Sequence, residues 1–153
     1  MRFLLPALIL ALLAVFPASA QDHANFSGEW VRIEPPHDSA TLLTVVQDER
    51  FIRIEQIVPI PRSGTYQLGV VGGSTGALGG GPTWSRQSSA IWKDAALVIT
   101  QQESLLGRGE PQVQAKHEEV WSFDSQGQLT IVITDQQAGG AATTTRFVYR
   151  KSR

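Results

Sequence analysis

The chain has 153 residues, 13 Lys and Arg against 14 Asp and Glu for a formal charge of −1, and no cysteine. That balance offers no basic face to nucleic acid or to an anionic membrane. The missing thiols exclude disulfides, zinc–thiolate centres and a cysteine nucleophile.

The first segment reads as a secretory signal peptide over 1–20. Arg2 supplies the positive start, Phe3 to Phe16 is apolar, Pro17 breaks the helix, and Ala18-Ser19-Ala20 is a small-x-small cleavage pattern. The apolar run is shorter than the ~20 residues of a bilayer-spanning helix. No membrane insertion is therefore expected after cleavage. One domain is expected over 21–153, periplasmic or secreted. Without disulfides, such a domain must rely on core burial and closed hydrogen bonding.

From Gln21 onward the helical period is nearly absent. Short runs rich in Val, Ile, Thr and aromatics alternate with Asp, Gly, Pro and Gln. They predict strands near 27–33, 40–47, 51–58, 64–71, 84–93, 96–103, 114–123, 128–136 and 143–151. Short strands with short links imply an all-β, antiparallel up-and-down meander of about 8–9 strands, closed as a barrel or stacked as a sandwich.

Three hairpins can be placed in register. A turn at Asp48-Glu49-Arg50 pairs Val46 with Ile52, Thr44 with Ile54 and Leu42 with Gln56. The next pairs Trp92 with Leu97 and Ala90 with Ile99. The third pairs Phe123 with Leu129, Trp121 with Ile131 and Glu119 with Ile133. Opposed residues share a face, so each hairpin gains one apolar side. Arg53, Glu55, Ser122, Thr130 and Thr134 fall on the other. Gly69 to Gly81 holds half of the 14 glycines. It reads as a mobile loop over one end of the structure. A phosphate cradle there is disfavoured, because the Gly-Lys-Ser/Thr ending of a P-loop is missing and no helix follows.

Phe26, Gly28 and Trp30, then Trp92, Leu97 and Ile99, then Trp121-Ser122 with Leu129-Thr130-Ile131, then Val148-Tyr149-Arg150-Lys151 form a series. In that series the chain resembles small exported bacterial lipocalin-like (calycin-type) β-barrel domains, a group mostly without assigned function. The resemblance covers nearly all of 21–153. It implies that Trp30 plugs one barrel end, that Gly28 starts the first strand tightly, and that a last-strand arginine stacks on the indole. Arg150 is the best match for that cover and Arg146 competes with it.

Chemistry is sparse. His23, His37 and His117 show no three-ligand metal spacing, so no metal and no cofactor is expected. No Gly-x-Ser-x-Gly elbow is present, and Asp48-Glu49 is a solvated hairpin tip. No catalytic residue is expected. The hairpin parity offers a binding site instead. If Trp121 and Phe123 point inward, Glu119 and His117 follow; if Trp92 does, Ala90, Ser88, Arg86 and Trp84 follow. Trp84, Arg86, Trp92, His117, Glu119 and Trp121 then line an interior that is apolar at one end and polar at the other. The plainer reading is that strand ends leave the barrel in solvent and that the tryptophans fill a small barrel. The expected role is a non-catalytic barrel for a small apolar or amphipathic ligand. The alternative is a protein-binding module, such as an inhibitor of an exported hydrolase, with Gln21 to Phe26 entering the target's cleft.

Overall fold

In the computed structural model, residues 23–36, 41–57, 62–77, 83–107 and 110–152 are described. The expected leader and His37 lie outside the described residues. The period-two alternation becomes ten strands, and no helix occurs among the described residues. They are β1 (Gly28–Glu34), β2 (Leu42–Gln47), β3 (Phe51–Gln56), β4 (Arg62–Gln67) and β5 (Val71–Ala77), followed by β6 (Thr83–Lys93), β7 (Ala96–Leu106), β8 (Gln112–Phe123), β9 (Leu129–Gln137) and β10 (Thr143–Lys151).

All ten belong to one antiparallel meander that curls until β1 pairs with β10. The two remaining edges are β4 and β5. They are not laddered to each other. A single parallel bridge, Leu68 to Ala90, links the end of β4 to β6, and the Gly69 N–H donates to the Ala90 carbonyl at 2.8 Å. The barrel is thus nearly closed, with a seam beside β4.

The second and third hairpins take the expected register: Trp92 faces Leu97, Trp121 faces Ile131 and Glu119 faces Ile133. The first is displaced by one residue. Val45 faces Ile54 and Leu43 faces Gln56, so Leu43 and Val45 turn inward and Val46 does not. The cause is a tighter turn. Asp48 closes it, its N–H donating to the Phe51 carbonyl at 3.0 Å. The Asp48 carboxylate accepts from the N–H groups of Arg50 and Phe51 at 2.7 and 2.8 Å, which hold it below its ordinary pKa. Val46 is left 61% exposed. Arg53 and Glu55 lie outside as expected and pair with each other.

The glycine stretch is also corrected. Val71–Ala77 is a strand, laddered to β6 from Val71–Ser89 to Ala77–Thr83. Its glycines accommodate aromatic cover. A Cβ on Gly76 would lie 2.7 Å from the indole of Trp84, its cross-strand partner. The ring therefore lies against the glycine backbone, a pairing that compensates a side-chain-free strand position.

One end of the barrel is solid. Phe26, Leu43, Ile52, Leu97, Ile99, Trp121 and Leu129 are fully buried and Trp30 nearly so. Phe26 sits at the centre, stacked on Trp92 at 5.8 Å, edge-on to Trp121 at 5.8 Å and tilted against Phe123 at 5.0 Å. The indole of Trp30 donates to the Phe26 carbonyl at 2.9 Å. The segment before β1 is docked rather than loose. Gln47 accepts from the Phe26 N–H and donates to the Ala24 carbonyl, both at 3.0 Å, and His23 stacks on Trp92 at 4.4 Å.

Trp30 therefore plugs this end, but its cover is not an arginine. The Lys151 ammonium lies 5.5 Å from the Trp30 ring. Arg150 is exposed opposite Val31, and Arg146 reaches out to Glu34 at 3.2 Å. The parity of β10 explains this: Phe147 and Tyr149 pack on the core, so Lys151 shares their face and Arg150 does not. Gly28 has φ +141°, and a Cβ there would meet the Lys151 stem at 2.9 Å. The backbone angle is what requires glycine. Trp30→Ala is expected to cost ~3–5 kcal/mol, the range for truncating a buried indole. Arg150→Ala, on the outer face, is expected to stay within ~0.5 kcal/mol. Urea unfolding midpoints of the two variants measure the contrast.

Candidate functional site

The opposite end is open. A cavity of about 410 Å³ is lined by Ile54 on β3, Ser63, Gly64 and Tyr66 on β4, Gln101 and Glu103 on β7, Ala115 to His117 and Glu119 on β8, and Asp135 and Gln137 on β9. Its apolar floor is the top of the core; its walls are polar.

Three adjacent strands build the polar wall. Gln101, His117 and Asp135 face one another across β7, β8 and β9, so they stand in one inward row. Glu119 is one step deeper and only 2% exposed. The His117 Nδ1 lies 2.6 Å from the Asp135 carboxylate, and its Nε2 lies 2.8 Å from Glu119 Oε1. The other Glu119 oxygen accepts from the Trp121 indole at 2.8 Å. A carboxylate is an acceptor, so an imidazole facing one on each side is held with a proton on both nitrogens. The His117 pKa is accordingly raised, chiefly by the Glu119 hydrogen bond, with burial opposing and Asp135 adding to the rise. Across the cavity, the Gln101 amide donates to the Tyr66 hydroxyl, which ties β7 to the edge strand β4.

Of the six residues expected to bind a ligand, His117 and Glu119 line this cavity. Trp121 is fully buried beneath it and acts through its bond to Glu119. Trp92 belongs to the solid end, between His23 and Phe26. Arg86 keeps the inward parity, but its strand has run past the rim. Its side chain is 52% exposed and its Nε donates to Glu103 at 2.8 Å, not to Glu119. Trp84, beyond it, covers Gly76 and lies 5.9 Å from the Arg86 guanidinium. The tryptophans thus do not form the walls; the cavity begins where they stop.

Ile54, Tyr66, Gln101 and Asp135 were missed. Asp135 follows from the third hairpin by one more step of its register, since Glu119 opposite Ile133 places His117 opposite Asp135. Gln101 and Tyr66 depend on pairings across longer links. No cluster of His, Asp and Glu suited to a metal occurs among the described residues. The chain matches no family model and no curated protein.

The clamp gives a signed pH dependence. A folded-state pKa above the ordinary 6.5 means His117 contributes stability that is fully present below that value. The contribution is lost as pH rises through the folded pKa. The stability of the wild type relative to His117→Gln is therefore expected to be greatest near pH 6 and to shrink toward pH 9. Urea unfolding of both proteins across that range measures it; a difference that grew with pH would contradict the clamp.

Proposed function

We propose that this chain is an exported, non-catalytic binding domain of lipocalin-like type that takes a small amphipathic molecule into the barrel mouth. The observation that carries the reading is the mouth cavity itself: about 410 Å³, with Ile54 at its floor and Tyr66, Gln101, His117, Glu119 and Asp135 around its wall. An apolar floor under a few fixed polar groups is the usual form of a small-molecule site. The polar groups are held in place before any ligand arrives, by His117 between two carboxylates and by the Tyr66–Gln101 bond. Such preorganisation reduces the ordering cost of binding.

The same clamp argues against catalysis. A general base needs a lone pair within reach of substrate, and both nitrogens of His117 face carboxylates. The docking of residues 23–27 onto Gln47 and the complete burial of Phe26 leave little of the N-terminal segment to enter a partner's cleft. Export rests on the pattern over 1–20, and the lipocalin-like type rests on the motif series and the nearly closed meander together.

Native mass spectrometry of the protein purified from its own host, without denaturation, is expected to reveal a retained small molecule. Ala115→Trp, which fills the cavity from β8, is expected to lower the retained fraction at least ~10-fold, as loss of a few buried contacts would. A wild-type protein that carries nothing from host extract, at any ionic strength tried, would sink the reading.

A further inference from the structure

A second cavity, of about 240 Å³, opens beside β4. Phe51, Thr65, Tyr66, Gln67, Val70, Gly72, Ser88 and Ser89 line it. It occupies the seam where β4 and β5 fail to ladder. Tyr66 alone among the described residues lines both this slot and the mouth cavity. Its ring lies against Gly64, where a Cβ would come within 2.9 Å of it, and its hydroxyl is held from the far wall by Gln101.

Resting on the reading of the mouth as a ligand site, we propose that the ligand is a long-chain amphipath with an uncharged polar head. Its head lies at the His117 row and its apolar tail leaves sideways past Tyr66, through the seam between β4 and β5. Three observations carry this. First, the floor of the mouth is sealed, since Ile99, Trp121 and Ile131 beneath it are 0, 0 and 1% exposed, so a tail has no path along the barrel axis. Second, the seam is the one place among the described residues where neighbouring strands of the sheet are not laddered, and its outer lip carries Phe51 and Val70, 42 and 41% exposed. Exposed apolar side chains at a cavity mouth are suited to an apolar tail. Third, the ionisable side chains that face the head are already engaged with one another: His117 lies between Glu119 and Asp135, and Glu103 is taken by Arg86. An ionic head would have to draw one of these groups away from its present partner, whereas an uncharged hydroxyl-bearing head finds donors and acceptors without doing so.

Tyr66 then sets specificity for tail length. Short molecules fit above it; longer ones must displace the ring toward the seam.

The test is calorimetric titration with 1-monoacylglycerols from butanoyl to myristoyl, on the wild type and on Gly72→Phe. Gly72 lines the slot, and a Cβ there meets only Ser88, at 3.8 and 3.9 Å, ordinary contact distances. A phenyl group therefore fills the seam without touching the mouth. Wild-type affinity is expected to rise about three- to fourfold per added methylene. Gly72→Phe is expected to bind the short members as the wild type does and to lose the gain for the long ones, by at least ~10-fold. Gly72→Ala, its fold checked by circular dichroism, should keep the gain. Wild-type affinity that does not depend on chain length overturns the tail path and leaves the mouth site standing. Gains with length that persist in a folded Gly72→Phe also overturn it. Failure of every monoacylglycerol to bind overturns the proposed ligand class, while retention of a native molecule by host-purified protein would still support the mouth site.

Discussion

The hydrogen bond from the Trp121 indole to Glu119, 2.8 Å long, joins the two halves of this barrel. Below it the inward positions are apolar and closed. Above it they are polar and surround a cavity. A carboxylate that is 2% exposed carries a large desolvation cost unless its oxygens are engaged. Trp121 takes one oxygen from beneath and His117 takes the other from the side. His117 in turn fixes Asp135 at the rim. The polar wall is therefore built as a chain from the core outward, each group placed by the one below it. Tryptophan in a core is satisfied only when its N–H finds an acceptor, and Glu119 is that acceptor. Core and site thus specify each other.

That dependence also explains which parts of the protein were legible in the sequence. Alternation and turn residues revealed nine of the strands, the all-β meander and two hairpin registers, because both signals are local. The polarity gradient along β8, from Trp121 through Glu119 to His117, was legible for the same reason. The first hairpin slipped by one residue because its register rests on which residue closes the turn. Asp48 closes it through its own side chain, a capping interaction that hydrophobic pattern does not encode. Arg150 was expected over Trp30, with Arg146 as its competitor, because the resemblance implies an arginine on the last strand. The parity that selects Lys151 was not legible, since that strand has aromatic residues on one face and Val148 on the other, and both faces are partly buried. The partners of His117 divide in an instructive way. Asp135 lies within one hairpin and follows from its register. Gln101 and Tyr66 lie across links whose lengths fix no register, and only closure of the barrel brings them together.

The strand that was missed, β5, shows how far composition alone can mislead. Glycine offers no side chain to pack and loses the most entropy when ordered. Val71–Ala77 would not hold as a free strand. It holds because β6 supplies what it lacks: a complete backbone ladder, and the Trp84 ring laid over Gly76. β6 in turn has a long partner in β7, paired along its whole length from Thr83–Leu106 to Lys93–Ala96. The extension of β6, β7 and β8 past the rim is what carries Arg86 and Trp84 out of the interior and leaves Arg86 to pair with Glu103.

The same poverty of side chains leaves the seam open. Antiparallel neighbours are held together chiefly by side-chain pairs across the ladder. β4 and β5 follow one another through Leu68, Gly69 and Val70 and would be expected to zip as a hairpin. β5 carries Gly72, Gly73 and Gly76, which offer no side chains to pair with those of β4. Chain continuity brings the two strands close, yet they form no ladder. The parallel bridge from Leu68 to Ala90 ties the end of β4 to β6 instead, and the slot lies beside it. A glycine-rich edge strand thus keeps the barrel from closing at the one place where its polar cavity lies next to an apolar lip.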